Sequence, residues 1–171
     1  MINGYEVLKD KYLDFDDEQR QPNGIDLRLG NVYSFKNNHR VYGITNSGKN
    51  IPPHVKIDPE DIPVHGGFIQ GWALQPHKPY ILEVENQIKI DDDCAQMYYP
   101  RSTLLRCACT LHTAVGDAGY TGKLAFLFIN HSDNLFIMEK GVRFAQLVDH
   151  QVLNAGIQYD GDYQDDKHKE D

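Results

Sequence analysis

The chain has 171 residues, 40% hydrophobic and 25% charged, which fits one globular domain able to bury a core without disulfide or metal staples. Its formal net charge of −8 argues against duplex DNA or an anionic membrane as partner, since both need basic surface, but a few local cations suffice for a small anionic ligand. No window is apolar enough for a membrane span and the first residues carry no signal-peptide pattern. Three cysteines, an odd number, fit a reducing cytoplasmic setting.

From the N-terminus, Tyr5, Val7, Leu8, Tyr12 and Leu13 stand loosely at helical spacing, as in a short helix or an irregular lead-in. "IDLRLGNVYSF" follows "QPNG". Its alternation of Ile25, Leu27 and Leu29 with Asp26 and Arg28 is the period-two pattern of a half-buried strand. Residues 36–66 are rich in Asn, Gly, Pro and charge and are expected to form loops with short strands at most. Then come the strand-like runs "GFIQGWAL", "YILEVENQIKI", "AQMYYP", "CACTLHTAV", "KLAFLFIN", "NLFIM" and "RFAQLVDHQVL", separated by turn signals. "PRSTLLRCA" has room for a short helix, with Leu104 and Leu105 toward the core. Many short strands and little helical periodicity predict an all-β barrel or sandwich. Residues 1–23 are read as a lead-in, 24–158 as the β-domain and 159–171 as a polar tail with a mobile end.

Four segments carry polar residues in strand-like surroundings. "GIDLRLG" offers Asp26 and Arg28, "YPRSTLLR" offers Arg101, Ser102, Thr103 and Arg106, "GDAGYTG" offers Asp117 and Tyr120, and "GVRFAQLV" offers Gln146. Each has a plain structural reading. Asp26 would pair with an arginine across strands, Ser102 would cap a helical turn, Asp117 would serve the turn, and Gln146 would satisfy a rim backbone group. Together they suit an anionic ligand. Arg and Ser give charge-assisted bonds to phosphate oxygens, a carboxylate polarises water, and a tyrosine ring packs against a sugar or base. Cys107 and Cys109 read as two thiols on one strand face, buried as small apolar groups. The eight histidines form no ligand-spaced cluster, Trp72 reads as core or subunit interface, and the Asp-rich tail reads as a solvated end.

In this order the segments resemble the dUTPase and dCTP deaminase superfamily over residues 24–164. P-R-S is followed by D-x-G-Y-x-G and then by G-x-R-x-A-Q-L-V. The likeness leans toward archaeal- and phage-type dUTPases, which share an R-S-x-L-x-R segment with the deaminases. It implies a distorted β jelly-roll, a homotrimer with active sites between subunits, and hydrolysis of dUTP to dUMP and pyrophosphate. It implies Mg²⁺ carried mainly by the substrate triphosphate, with no direct protein ligands. Carried over by motif, Asp117 is the water-activating acid and Tyr120 the ring under the deoxyribose. Arg101, Ser102 and Gln146 are phosphate contacts, and Asp26 supports the metal and water network. Thr103 and Arg106 are substrate-binding residues with less defined roles, and Tyr163 and Gln164, in a Y-x-G-x-Y-Q-like ending, close the site.

The deaminase branch also needs a glutamate in a T-L-E-type sequence after the D-x-G turn, to move protons at the cytosine ring. Here the matching stretch is "KLAFLFIN", and Leu127 takes that place. A leucine carries no protons, so the expectation is hydrolysis. The alternatives are a dCTP deaminase or bifunctional enzyme drawing an acid such as Glu83 or Glu85 from elsewhere, or a catalytically silent nucleotide-binding or regulatory trimer.

Overall fold

The computed structural model describes residues 1–9, 11, 15–36, 41–153 and 156–165. In chain order the elements are β1 (Ile2–Asn3), α1 (Tyr5–Leu8), a 3₁₀ turn (Asp17–Gln19), β2 (Arg20–Gln21), β3 (Gly24–Phe35), β4 (Gly43–Thr45), β5 (Gly48–Asn50) and β6 (His54–Ile57). There follow β7 (Glu60–Val64), β8 (Gly67–Leu74), β9 (Pro79–Lys89), β10 (Cys94–Pro100), α2 (Ser102–Arg106), β11 (Cys109–His112), β12 (Thr121–Asn130), β13 (Phe136–Glu139) and β14 (Arg143–Gln151). The all-β expectation holds. The helical spacing near the N-terminus yields a single turn, α1, whose Leu8 is buried, while Tyr12 and Leu13 lie outside the described residues.

The main sheet runs β1-β14-β3-β9-β12-β11, with β10 also on β14, and β2 and β6 on β3. It curls into a distorted jelly-roll half-barrel. The smaller sheet is β13-β8-β7, and β4-β5 is a separate exposed hairpin. Pro63 sits in β7, at the edge of its sheet, where its missing N–H costs no ladder bond. In β12 the even positions Leu124, Phe126 and Phe128 face the core, against Leu82, Val84, Leu27, Leu29 and Phe144 from neighbouring strands. Trp72 is core, its Nε1–H donating to the Ile57 carbonyl at 2.8 Å.

β3 differs from a half-buried strand. Its first four residues are all buried, because segment 16–21 lies over them and β2 pairs with its start. Gly24 opens β3 at φ 155°, and a Cβ there would lie 1.9 Å from the Leu147 carbonyl oxygen, so only glycine lets β14 come this near. α2 buries Leu104 but leaves Leu105 60% exposed, since one helical turn has one inward position here. Cys107 caps the end of α2 and is exposed. Ala108 then adopts φ 54° and turns the chain into β11, where Cys109 is buried. The C-A-C thiols therefore do not share a strand face.

Candidate functional site

Three of the four polar segments meet at one place. Gln146 of β14 lies opposite Asp26 of β3 and opposite Tyr99 of β10, so the three side chains emerge on one face. Pro100 ends β10, and the Arg101 N–H donates to the Phe144 carbonyl at 3.0 Å, which brings the P-R-S segment beside the start of β14. Arg101 stands at the N-cap with extended backbone, making Ser102 the first helical residue and not the cap. Ser102, Thr103 and Arg106 are exposed around this turn.

Asp26 is the buried charge of the group, 2% exposed. Its Oδ2 lies 3.1 Å from Arg101 Nη1 and 3.6 Å from Arg143 Nη1, and accepts from Gln21 Nε2 at 3.1 Å. The Gln19 amide donates to the Asp26 carbonyl at 2.7 Å, and Gln19 is itself held by a capping box with Asp16. Burial pushes the Asp26 carboxyl above its ordinary value, while Arg101 and Arg143 pull it back. Arg28, two residues further along β3, pairs instead with Asp16 and Glu18, both at 2.8 Å. Arg143 lay inside the G-V-R-F-A-Q motif yet was not singled out as a site residue. Gln19 was legible as the fourth residue of a D-x-x-Q cap.

Asp117 and Tyr120 form a second group. Gly116 bridges to Gln96 of β10, and a turn closed by Tyr120 N–H to the Asp117 carbonyl, 3.1 Å, leads into β12. The Asp117 side chain is exposed and has no hydrogen bond or ion pair among the described residues. The Tyr120 ring is 9% exposed, packs edge-on against Tyr159 with centroids 5.4 Å apart, and its hydroxyl donates to the Lys123 carbonyl at 3.2 Å.

The tail lies on this turn. The Tyr159 N–H donates to the Ala118 carbonyl at 2.8 Å. The Gln164 amide accepts from Thr121 N–H and donates to the Gly119 carbonyl, both at 3.2 Å. The Tyr163 N–H donates to the Tyr159 hydroxyl at 3.3 Å, and Lys49 of β5 pairs with Asp162 and sits 5.0 Å over the Tyr163 ring. Of the tail 159–171, expected to have a mobile end, residues 159–165 are thus placed against the turn, and those beyond 165 lie outside the described residues.

Leu127 is half-buried on the outward face of β12, opposite His112 of β11 and Ile81 of β9. His112 and His131 are exposed and both approach the Thr110 hydroxyl. Glu83 lies opposite Ala125 on the same face, is buried, and accepts from Asn31 Nδ2 at 2.7 Å and Tyr33 Oη at 3.2 Å. A carboxylate engaged by two neutral donors is a structural group of the sheet. Among the described residues, the group of three side chains with ligand atoms within 4.8 Å of one another is Asp91, Asp93 and Cys94, outside both polar groups. Burial pushes the Cys94 thiol up to about 12.

Residues 6–152 match the family model described as dCTP deaminase-like. The chain is 36% identical over 163 residues to a Methanopyrus kandleri protein named "Probable deoxyuridine 5'-triphosphate nucleotidohydrolase", covering 95% of this chain and 99% of that one. A Methanothermobacter thermautotrophicus protein of the same name is 37% identical over 168 residues, covering 96% and 100%. In fold, the chain is similar to a 2'-deoxycytidine 5'-triphosphate deaminase from Agrobacterium tumefaciens, with TM-score 0.64 and 18% identity. The match covers 86% of this chain and 47% of that one.

Proposed function

This chain belongs to the dCTP deaminase-like family, and within it we propose that the protein is a dUTP diphosphatase, cleaving dUTP to dUMP and pyrophosphate. The observation that carries the reading is the pair Asp117 and Leu127: an exposed carboxylate at the turn, and an apolar side chain where deamination needs an acid. Asp117 takes a proton from water as its oxygen bonds to the α-phosphorus. The bond from that phosphorus to the bridging oxygen breaks, and pyrophosphate leaves with the electron pair. A positioned carboxylate base contributes about 10²–10⁴ in rate. Arg101, Ser102 and Gln146 meet the charge that develops on the phosphates, helped by Thr103 and Arg106 of the same segment. The Tyr120 ring supports the deoxyribose and leaves no room for a ribose 2′-hydroxyl. Tyr163 and Gln164 close the site.

Mg²⁺ fits this arrangement as a companion of the triphosphate, because the Asp26 carboxylate is already engaged by arginines. Bound there, it would neutralise phosphate charge. The site is completed between copies in a homotrimer. In one chain, no hydrogen bond or ion pair among the described residues joins the Arg101–Ser102–Gln146 group to Asp117. The three free thiols suit a reducing compartment, and the cytoplasm is where we place the enzyme.

The test is incubation with dUTP, dCTP or dTTP plus Mg²⁺, reading pyrophosphate and ammonia separately. Pyrophosphate from dUTP alone is expected. Ammonia from dCTP would establish the deaminase reading, and no turnover of any nucleotide would establish a binding module. Mixing inactive Asp117→Asn with inactive Arg101→Ala should restore about one quarter of wild-type turnover if each site draws on two chains of a closed ring. A mixture that stays inactive would place both residues in one chain's site.

A further inference from the structure

Asp26 has an unusual setting. It is 2% exposed, on a strand whose other early residues are core, and burial raises its pKa. It is also the common partner of two guanidiniums brought in by segments far apart in sequence, Arg101 after β10 and Arg143 at the start of β14. The register of β14 shifts between Arg143 and Ala145, and a shift of this kind re-aims a side chain. Arg143 lies opposite Arg28, yet the two are sorted onto different acids. Arg28 is spent on Asp16 and Glu18, and Arg143 reaches Asp26 while also donating to the Glu18 carbonyl.

The arginines on Asp26 are not used up by it. The Arg101 and Arg143 side chains are 34% and 31% exposed, while Asp26 is covered. A guanidinium has five N–H donors in a rigid fork, and each engages Asp26 through one nitrogen. The two guanidiniums outnumber the carboxylate they share, and their exposed parts leave N–H donors for a ligand, while the excess acid of the Arg28–Asp16–Glu18 group lies on the other arginine. A lone buried carboxylate would be a costly way to hold one arginine. Holding two at fixed spacing is what recognition of a polyphosphate needs.

We propose that Arg143 is a second phosphate-binding arginine, and that Asp26 is a positioning residue that sets Arg101 and Arg143 side by side for the triphosphate. This rests on the dUTP reading above, and it gives Asp26 work on the arginine pair in place of the metal and water network. Gln21, donating to the same Oδ2, fixes the carboxylate in turn.

The experiment uses a non-hydrolysable α,β-imido analogue of dUTP, and deoxyuridine as the phosphate-free probe. Arg143→Ala and Asp26→Asn should each weaken analogue binding by tenfold or more and leave deoxyuridine binding within about twofold. Arg143→Lys should recover only part of the loss, because a point charge lacks the fork. With saturating nucleotide, the Mg²⁺ concentration for half-maximal turnover should be unchanged in Asp26→Asn. Analogue binding at the wild-type level in Arg143→Ala, or a tenfold shift of the Mg²⁺ requirement in Asp26→Asn, would overturn the proposal. If Asp26→Asn does not fold, the Arg143 pair decides alone. Wild type that releases no pyrophosphate from dUTP would sink the functional reading instead, so the two failures are distinct.

Discussion

Gly116 precedes the proposed base, and its position makes Gly116→Ala an informative perturbation. A Cβ there would lie 2.3 Å from the Tyr98 hydroxyl oxygen, 2.6 Å from Ile90 Cδ1 and 3.1 Å from Gln96 Cβ. The first two distances are below any real contact, so something must move. Tyr98 is buried, its hydroxyl donates to Gln96 Oε1 at 2.9 Å, and Gln96 Nε2 donates to buried Asp149 at 3.2 Å. The backbone is pinned as well, with Gly116 and Gln96 exchanging bonds of 2.8 and 2.9 Å. Overpacking costs about 1–3 kcal/mol and a lost buried hydrogen bond about 1 kcal/mol more, against about 0.4–1 kcal/mol gained from a stiffer unfolded chain. The net is a loss of about 1–3.5 kcal/mol, or roughly 2–14 °C in Tm for a chain of this size. Because Asp117 is the next residue, a shift on the order of 1 Å should also lower turnover by about 10²-fold. Urea unfolding at fixed protein concentration, together with pyrophosphate release, reads both effects. Destabilisation below about 0.5 kcal/mol, within the spread of ordinary surface substitutions, with turnover near wild type would refute the packing argument.

Asp117→Asn should lower turnover by about 10²–10⁴ while the imido analogue still binds; wild-type turnover would put the base elsewhere. Tyr120→Ala should cost about 3–5 kcal/mol, since it empties a buried ring site against Tyr159, and should narrow the preference for dUTP over UTP. Unchanged discrimination would remove Tyr120 from sugar selection. For Asp26, burial raises the folded pKa above the ordinary 3.8, so its contribution to stability is full below that value and lost as pH rises through the raised one. The stability of wild type relative to Asp26→Asn should therefore fall as pH rises above 3.8, and a difference that grows with pH would contradict the burial account. Ellman's reagent on the native protein should modify Cys107 quickly and Cys94 and Cys109 only on unfolding, because burial raises the last two thiols to about 12 and 11. Rapid labelling of all three would mean that Cys94 and Cys109 are open to solvent.

Period-two patterning reported the strands well, because alternation records which side of a sheet meets the core. "GFIQGWAL" became β8 residue for residue. Patterning failed where a second layer covers the outer face. Nothing in "GIDLRLG" announces that residues 16–21 fold over Asp26, so a half-buried strand was expected, and the first four residues of β3 are instead all buried. Leu105 and Cys107 were misread for a related reason. A single helical turn closed by a left-handed residue offers few inward positions, and hydrophobicity alone does not say which residue takes them. The polar segments were legible as types but not as neighbours. Strand register brings Asp26, Gln146 and Arg101 together, and register depends on distant pairings that the local sequence does not display. Arg143 escaped for the opposite reason, since its motif was visible while its partner was not.

β12 separates the two proton-handling positions that distinguish hydrolysis from deamination. Thr121, just after the Asp117 turn, and Leu127 are six residues apart along β12, so the turn that carries Asp117 and the position of Leu127 are built by different parts of the strand. Replacing an acid by Leu127 removes proton transfer at the base without disturbing the turn that holds Asp117, Tyr120 and Gln164. Glu83 does not refill the place, because Asn31 and Tyr33 bind it within the sheet. An apolar side chain at position 127 therefore bears on proton transfer at the base alone, while the turn that carries Asp117 keeps its own hydrogen bonds.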